Sequence, residues 1–200
     1  MDSFLKIYLP IYFLIYLATA FVVPSYRIRK QTGINPVTFG KEDTAHNYIG
    51  FIMKLLIAAL FLVVLLFSFS TNIYNYLVPI NYLQNKIIVN IGIAVINIAL
   101  LLVIVAQSQM KKSWRIGIDD ANKTELITKG LFSVSRNPIY VGMIATVWGI
   151  FLILPNTLTF FLSAATYLII QIHIRLEEEF LEKQHGEVYT VYKSKTKRLI

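Results

Sequence analysis

Five residues in one short stretch are of types that start a helix and form an anion-binding site beside its first turn. They are Arg136, Asn137, Pro138, Tyr140 and Gly142, within the stretch G-L-F-S-V-S-R-N-P-I-Y-V-G at residues 130–142. Asn followed by Pro predicts that a helix starts here, with Asn137 as N-cap and Pro138 as the first helical residue. The first backbone N–H groups of such a helix are unpaired and carry the positive end of its dipole. With Arg136 just outside the helix this end can hold a carboxylate, and Gly142 leaves room for another backbone or a ligand.

Composition identifies the environment in which this stretch works. Hydrophobic residues make up 56% of the 200-residue chain and charged residues only 15%, which is typical of an integral membrane protein. The absence of cysteine excludes disulfides, thiolate metal sites and a cysteine nucleophile. The three histidines, His46, His173 and His185, have no metal-ligand spacing, so no metal site is predicted. The net charge of +8 comes from basic residues that flank apolar segments, which favours membrane lipids over nucleic acid as partners.

Five apolar segments are predicted to cross the membrane, at residues 4–23, 48–69, about 87–106, 138–154 and 157–173. Pro24 is expected to end the first helix. Only Pro155 and Asn156 join the last two segments, which predicts a tight helical hairpin. The last segment continues without Gly or Pro into charged residues 175–185, which predicts a C-terminal helical extension into the cytoplasm. The predicted fold class is an all-α integral membrane protein with about five transmembrane helices and no Rossmann domain.

The segments between the spans set the predicted orientation. Residues 25–47 are interpreted as a polar connecting loop, and residues 111–136 as a long charged link folded against the membrane surface. With five spans, these two links and the C-terminal segment all lie on one side, and together they hold most of the Lys and Arg residues. By the positive-inside rule that side is the cytoplasm, so the N-terminus is expected outside and the C-terminus inside.

A second motif follows the hairpin, R-L-E-E-E-F-L-E-K-Q-H-G-E-V-Y-T-V-Y at residues 175–192, and S-W-R-I-G-I occupies residues 113–118. In order and spacing, these stretches and residues 130–142 resemble the isoprenylcysteine carboxyl methyltransferase family, membrane methyltransferases that include phospholipid N-methyltransferase relatives. The resemblance covers about residues 110–200. This chain departs from the family pattern at Asn137, where eukaryotic members have His, at His185, which replaces Phe or Tyr, and at Lys197, which replaces a common Pro.

The resemblance implies a pocket for S-adenosyl-L-methionine that is built without a Rossmann fold, and no G-x-G-x-x-G follows a strand here. Matched by position, Arg136 and Glu178 would be catalytic. The cofactor-binding residues would be Asn137, Pro138, Tyr140, Gly142, Glu177, Tyr189 and Tyr192, with no metal. The implied reaction is carboxyl O-methylation of an isoprenylcysteine-like substrate. It needs no general base, because a carboxylate with a pKa of about 3.5 is already ionised.

The resemblance also implies a division of labour along the chain. Residues 1–109 would form a three-helix part that faces a lipophilic acceptor, and residues 110–200 the cofactor-binding catalytic part at the cytoplasmic face. The expected partners are that acceptor and membrane lipids. The sequence predicts no oligomeric state.

Other interpretations of the same residues remain open. Arg136 alone is typical of a topological anchor, residues 177–179 of a solvated helix face paired to Arg175, and Tyr189 and Tyr192 of a packed core. An NADPH-dependent membrane reductase carries a related motif, although Ile139 and Met143 differ from it. A non-catalytic membrane scaffold is the remaining alternative.

Overall fold

The part of the chain that the structure describes, residues 2–40, 42–119, 122 and 124–200, folds almost entirely into helices. In this computed structural model the α-helices are α1 Asp2–Leu17, α2 Val23–Thr32, α3 Ala45–Phe69, α4 Thr71–Asn75, α5 Lys86–Met110, α6 Pro138–Ile153, α7 Thr157–His185 and α8 Glu187–Lys195. A π-helix occupies Ala18–Val22, and 3-10 turns occupy Asn81–Leu83, Lys111–Ser113 and Gly130–Ser133. Within the described residues β-pairing is limited to isolated bridges.

The membrane spans match the predicted apolar segments. Among the described residues, four helical stretches are long and apolar enough to cross a membrane: Ser3–Thr32, Ala45–Phe69, Lys86–Ser113 and Thr157–His185. The fifth, α6, has 16 residues and is therefore about 24 Å long, shorter than a hydrocarbon core of about 30 Å. Its partner α7 runs unbroken for 29 residues, about 43 Å, and so continues past the apolar segment as predicted. The all-α membrane fold without a Rossmann domain is confirmed.

The first helix does not end at Pro24 as expected. The chain widens into the π-helix at Ala18–Val22 and continues as α2, with Pro24 in its first turn. Proline fits this position because the first turn of a helix needs no backbone donor from it. The helix ends instead at Gly33, whose φ of 71° lies in the left-handed region that glycine adopts without strain.

Helices α5 and α6 pack closely because glycines face the contact. A Cβ built on Gly142 would lie 2.5 Å from a methyl of Val103 and 3.1 Å from the carbonyl of Ala99. One built on Gly149 would lie 2.5 Å from a methyl of Ile96. Small residues that let two backbones approach are the usual basis of helix contacts in membranes.

The predicted hairpin between α6 and α7 is confirmed. The side chain of Asn156 accepts a hydrogen bond from the Thr159 backbone, and the Thr159 hydroxyl accepts one from the Asn156 backbone, which closes a capping box at the start of α7. On the same side, the backbone of Ile80 donates to the carbonyl of Pro155 at 2.8 Å. The segment after α4 therefore covers the turn.

The two long links pair with each other at the opposite end of the bundle. The Thr38 backbone donates to the Ile116 carbonyl at 3.1 Å, and the Ile116 backbone donates to the Pro36 carbonyl at 2.8 Å. The first link, expected to be only a connecting loop, thus lies against the second and shapes the site described next.

Candidate active site

The start of α6 is held by the C-terminal end of the chain. At Gly186, with a φ of 57°, the chain turns from α7 into α8, and residues 196–198 return to the start of α6. The Arg136 backbone donates to the Lys197 carbonyl at 2.9 Å. Asn137 occupies the N-cap position, but its side chain makes no capping bond and donates instead to the Arg198 carbonyl at 2.9 Å. Pro138 is the first helical residue, as predicted.

Two guanidinium groups bind one buried carboxylate beside this helix start. Arg136 donates through Nε and Nη2 to Oε1 of Glu178, at 2.9 and 2.6 Å. Arg198 donates through Nε and Nη2 to Oε2, at 3.0 and 2.8 Å. Arg136 Nη1 also donates to the carbonyls of Thr196 and Lys193. This cluster ties α6, α7 and the C-terminal segment together, and hydrogen bonding to Glu178 raises the pKa of Arg198 above its usual value.

A second polar group lies one helical turn from that cluster. The Tyr140 hydroxyl donates to Oε2 of Glu177 at 2.9 Å and lies 3.3 Å from Nδ1 of His173. Since the single Tyr140 proton goes to Glu177, a bond with His173 requires the proton on Nδ1, which leaves Nε2 with a free lone pair. That Nε2 is buried and has no hydrogen-bond partner among the described residues. Arg175 plays no part here, because it donates to Gln171 instead.

A cavity of about 460 Å³ opens from this polar group into the helix bundle. We call the cluster of polar side chains in its lining, Arg136, Asn137, Tyr140, His173 and Glu177, its polar end; Lys54, Gln107 and Arg115 also line the cavity. The rest is mainly apolar and comes from several elements, including Leu17, Phe21, Val37, Phe39, Met53, Ile57, Val103, Trp114, Ile116 and Met143. A cavity of this size, with polar groups at one end, is typical of a small-molecule site.

A smaller cavity of about 90 Å³, with a lining that is more polar than that of the large one, shares a wall with it. Arg136, Asn137 and Glu177 line both, and Tyr189 and Tyr192 line only the small one. Burial raises the pKa of Tyr192 to about 12 and that of Tyr189 above its usual value, so both phenols are neutral. Tyr192 donates to the Phe132 carbonyl at 2.6 Å, whereas the buried Tyr189 hydroxyl has no hydrogen-bond partner within the described residues.

The wall of the small cavity also carries an acidic side chain. Burial favours a raised pKa for Asp119, but hydrogen bonds from Arg115 and Asn122 outweigh it and lower that pKa below its usual value. Arg115 Nε lies 2.9 Å from the Asp119 carboxylate. The pair fixes the second link beside the site.

The structure brings most of the predicted site residues together, with two exceptions. Gly142 lines neither cavity, because it faces α5. Glu178 lines neither cavity either, because both of its oxygens are bound by arginine. Sequence reasoning missed His173, although its spacing of four residues before Glu177 on one helix was a usable signal. It also missed Val37 and Phe39, which no local pattern marks.

Comparison with protein families decides the class to which this chain belongs. The phospholipid methyltransferase family model matches residues 87–188, which hold nearly all of α5, the whole of α6 and α7, the motif at residues 130–142 and most of the motif at residues 175–192. The chain belongs to the phospholipid methyltransferase family. It is a membrane methyltransferase of that type, and the resemblance drawn from its motifs is confirmed.

A solved structure with a similar fold is that of the eukaryotic intramembrane Ras methyltransferase ICMT (isoprenylcysteine carboxyl methyltransferase). The match has a TM-score of 0.57 at 16% sequence identity and covers 98% of this chain and 71% of that chain. At this identity the match shows the fold alone. Comparison with curated protein sequences found no match.

Proposed function

We propose that this protein transfers a methyl group from S-adenosylmethionine to a lipophilic acceptor, with an isoprenylcysteine-like carboxylate as the first acceptor to test. The observation that carries the proposal is the wall between the two cavities. Glu177 and Arg136 line both a small, more polar cavity and a large, mainly apolar one. The small cavity is too small for the whole cofactor, so we place only a charged end of it there, and its sulfonium would meet the lipophilic acceptor in the large cavity.

The polar residues fit the cofactor's functional groups. Within the described residues one oxygen of Glu177 is bound, by Tyr140, so the other can accept from an ammonium or from ribose hydroxyls. The buried Tyr189 hydroxyl lacks a partner in the described part of the chain, and a ligand in the small cavity would supply one. The Tyr140 ring lies at the polar end of the large cavity, where its face suits a sulfonium by cation–π attraction.

We assign different roles to the two residues predicted to be catalytic. Arg136 lines both cavities and remains a candidate to hold a carboxylate. Glu178 acts as a positioning residue, because it holds Arg136 and the C-terminal segment in place. Asn137 and Pro138 set the helix start that forms the wall, and Gly142 permits the α5–α6 contact behind it.

When bound, S-adenosylmethionine would supply a methyl group whose bond to sulfur breaks, leaving the electron pair on sulfur, as the acceptor oxygen bonds to the carbon. The protein then needs only to hold the acceptor in line and exclude water, because a carboxylate is already ionised. Holding two reactants in contact contributes up to about 7–11 kcal/mol in favourable cases. Trp114, Phe132 and Met143 form apolar walls suited to excluding water.

The topology completes the proposal. The end of the bundle with both links and the C-terminal segment is assigned to the cytoplasm, because it carries most of the basic residues. The cofactor would enter from that side. The acceptor would enter laterally from the bilayer, between the N-terminal helices.

The experiment is transfer of a tritiated methyl group to farnesylcysteine by the purified protein in lipid nanodiscs. The matched acceptors are the farnesylcysteine amide, which lacks the carboxylate, and phosphatidylethanolamine, which offers an amine. The proposal expects labelling of farnesylcysteine alone, abolished by Glu177→Gln and retained by Glu179→Gln, which changes an exposed neighbour. Labelling of phosphatidylethanolamine instead would mean that the acceptor is an amine and not an isoprenylcysteine-like carboxylate. Cofactor binding without labelling of any of these molecules would refute a lipophilic acceptor of this kind.

A further inference from the structure

A second recess, which we call the basic groove, lies where α2 and α5 end and adjoins the small cavity of the candidate active site. Its outer part has a volume of about 610 Å³, and its lining includes Arg27, Lys111 and Lys112. Its inner part has about 140 Å³ and is largely apolar, with Val23, Ile28, Ile104 and Trp114 in its lining. Arg27, Ser108 and Lys111 line both parts, so the two form one recess.

The outer part carries excess positive charge. Arg27, Lys111 and Lys112 form no salt bridge with any described residue. A fourth cation in the lining, Arg115, is neutralised by Asp119. Among the described residues of this lining the remaining carboxylate is that of Glu125, so three cations without a salt bridge face one acid there.

Backbone geometry helps to place two of these cations together. Helix α5 ends at Met110, and Lys111 takes a φ of 50°, a conformation that residues with a side chain rarely adopt. The following 3-10 turn, Lys111–Ser113, sets Lys111 and Lys112 at the rim of the groove. Strained backbone of this kind persists only where the surrounding structure holds it.

The position of the groove matches the headgroup layer of a bilayer. Arg27 lies near the end of the span Ser3–Thr32, and Lys111 and Lys112 lie near the end of the span Lys86–Ser113. The apolar part runs from that rim along α5 towards Ile104, nearly two turns back into the span. A phosphate at the rim would therefore continue into a site for hydrocarbon.

We propose that the basic groove binds an anionic phospholipid, with its phosphate between Arg27, Lys111 and Lys112 and an acyl chain beside Ile104. A soluble phosphate would leave the apolar part unfilled, and a lipid without net charge would leave the cations uncompensated. Gln107 and Trp114 line both the inner groove and the large cavity, so the bound lipid would support the outer side of the active-site wall. Lipid binding in the groove requires neither the methyl donor nor the acceptor.

The test is thermal unfolding of the full chain in neutral detergent, titrated with phosphatidylglycerol, phosphatidylcholine or inorganic phosphate. We expect phosphatidylglycerol to raise the unfolding midpoint with saturation and the other two to leave it nearly unchanged. In the triple variant Arg27→Gln, Lys111→Gln, Lys112→Gln the apparent affinity should fall by more than about tenfold, since each basic residue near an anionic surface contributes about fivefold.

Two further variants make the test independent of folding defects. The triple variant Lys30→Gln, Lys183→Gln, Lys195→Gln removes the same charge outside the groove and should keep the response. Ser108→Trp fills the groove while leaving its charges, and should abolish the response. Equal stabilisation by both lipids, an equal effect of phosphate, or an undiminished response in the groove variants would overturn the proposal.

Discussion

Replacing Glu178 by Gln tests whether the arginine cluster holds the candidate site together. The change keeps the shape of the side chain but removes the charge that two guanidinium groups share. The Glu178 and Arg136 side chains are only 5% and 8% exposed. Breaking a buried ion pair by removing one partner costs about 3–5 kcal/mol, because the other charge is left without compensation.

The contribution of Arg198 to this cost is small. Its side chain is 36% exposed, so solvent screens its pairing with Glu178, and about 0–1 kcal/mol is appropriate. The Gln amide oxygen can still accept a hydrogen bond, so we take a total loss of about 3 kcal/mol. For a chain of this length that corresponds to a decrease of roughly 6–12 °C in the unfolding midpoint.

The assay is thermal unfolding in detergent, followed by tryptophan fluorescence. Glu182→Gln is the matched control, because it breaks the Lys193 ion pair on the same helix, where both side chains are more than a third exposed. It should cost at most about 1 kcal/mol. In the double variant Arg136→Gln, Glu178→Gln the losses should be less than additive, by more than about 1 kcal/mol. A midpoint for Glu178→Gln within the range of the control would refute the structural role of the cluster.

Three other predictions follow from individual contacts. Gly142→Val places a side chain against Val103, where even a Cβ would lie 2.5 Å from a methyl, and should destabilise the protein by about 1–3 kcal/mol in the same unfolding assay. Tyr192→Phe removes the bond to the Phe132 carbonyl and should cost about 1–3 kcal/mol at neutral pH. Because burial raises the pKa of Tyr192 from 10.0 to about 12, the neutral form is the stabilising one. The stability difference between wild type and Tyr192→Phe should therefore be full below pH 10 and disappear as the pH rises through about 12. Met143→Trp narrows the large cavity without touching the small one, so transfer to the acceptor should be lost, while calorimetry should show only slightly weakened cofactor binding, because the cofactor's charged end still binds in the small cavity.

Each of these has a clear contrary result. A Gly142→Val protein as stable as wild type would mean that the α5–α6 contact is looser than described. If the stability difference between wild type and Tyr192→Phe persists above pH 12, the neutral Tyr192 phenol is not the stabilising form. Undiminished methyl transfer by Met143→Trp would mean that the acceptor lies elsewhere.

The features that local chemistry dictates could be predicted from the sequence. The Asn137–Pro138 pair fixes where α6 begins, and the short Pro155–Asn156 connection forces a hairpin. The uninterrupted helix-forming run after residue 157 predicts the length of α7. In each case the signal lies within a few residues of its effect.

The features that depend on distant contacts could not be predicted. Arg136 and Glu178 are 42 positions apart, and no spacing rule shows that they bind each other rather than a ligand. Val37 enters the cavity because its link pairs with Ile116, nearly 80 residues away. The prediction that the first helix ends at Pro24 was wrong because the π-helix before this residue shifts the hydrogen-bond pattern. Proline statistics for soluble helices do not include this effect.

The central claim is that Glu177 forms part of a cofactor site, and calorimetric titration with S-adenosylhomocysteine tests it most directly. The detergent-purified wild type should bind with a measurable heat, and Glu179→Gln should bind equally well. Glu177→Gln should weaken binding by about 10- to 100-fold, because a hydrogen bond to a charged group contributes about 1.5–3 kcal/mol. Equal affinities of Glu177→Gln and wild type, with both proteins folded, would contradict the account.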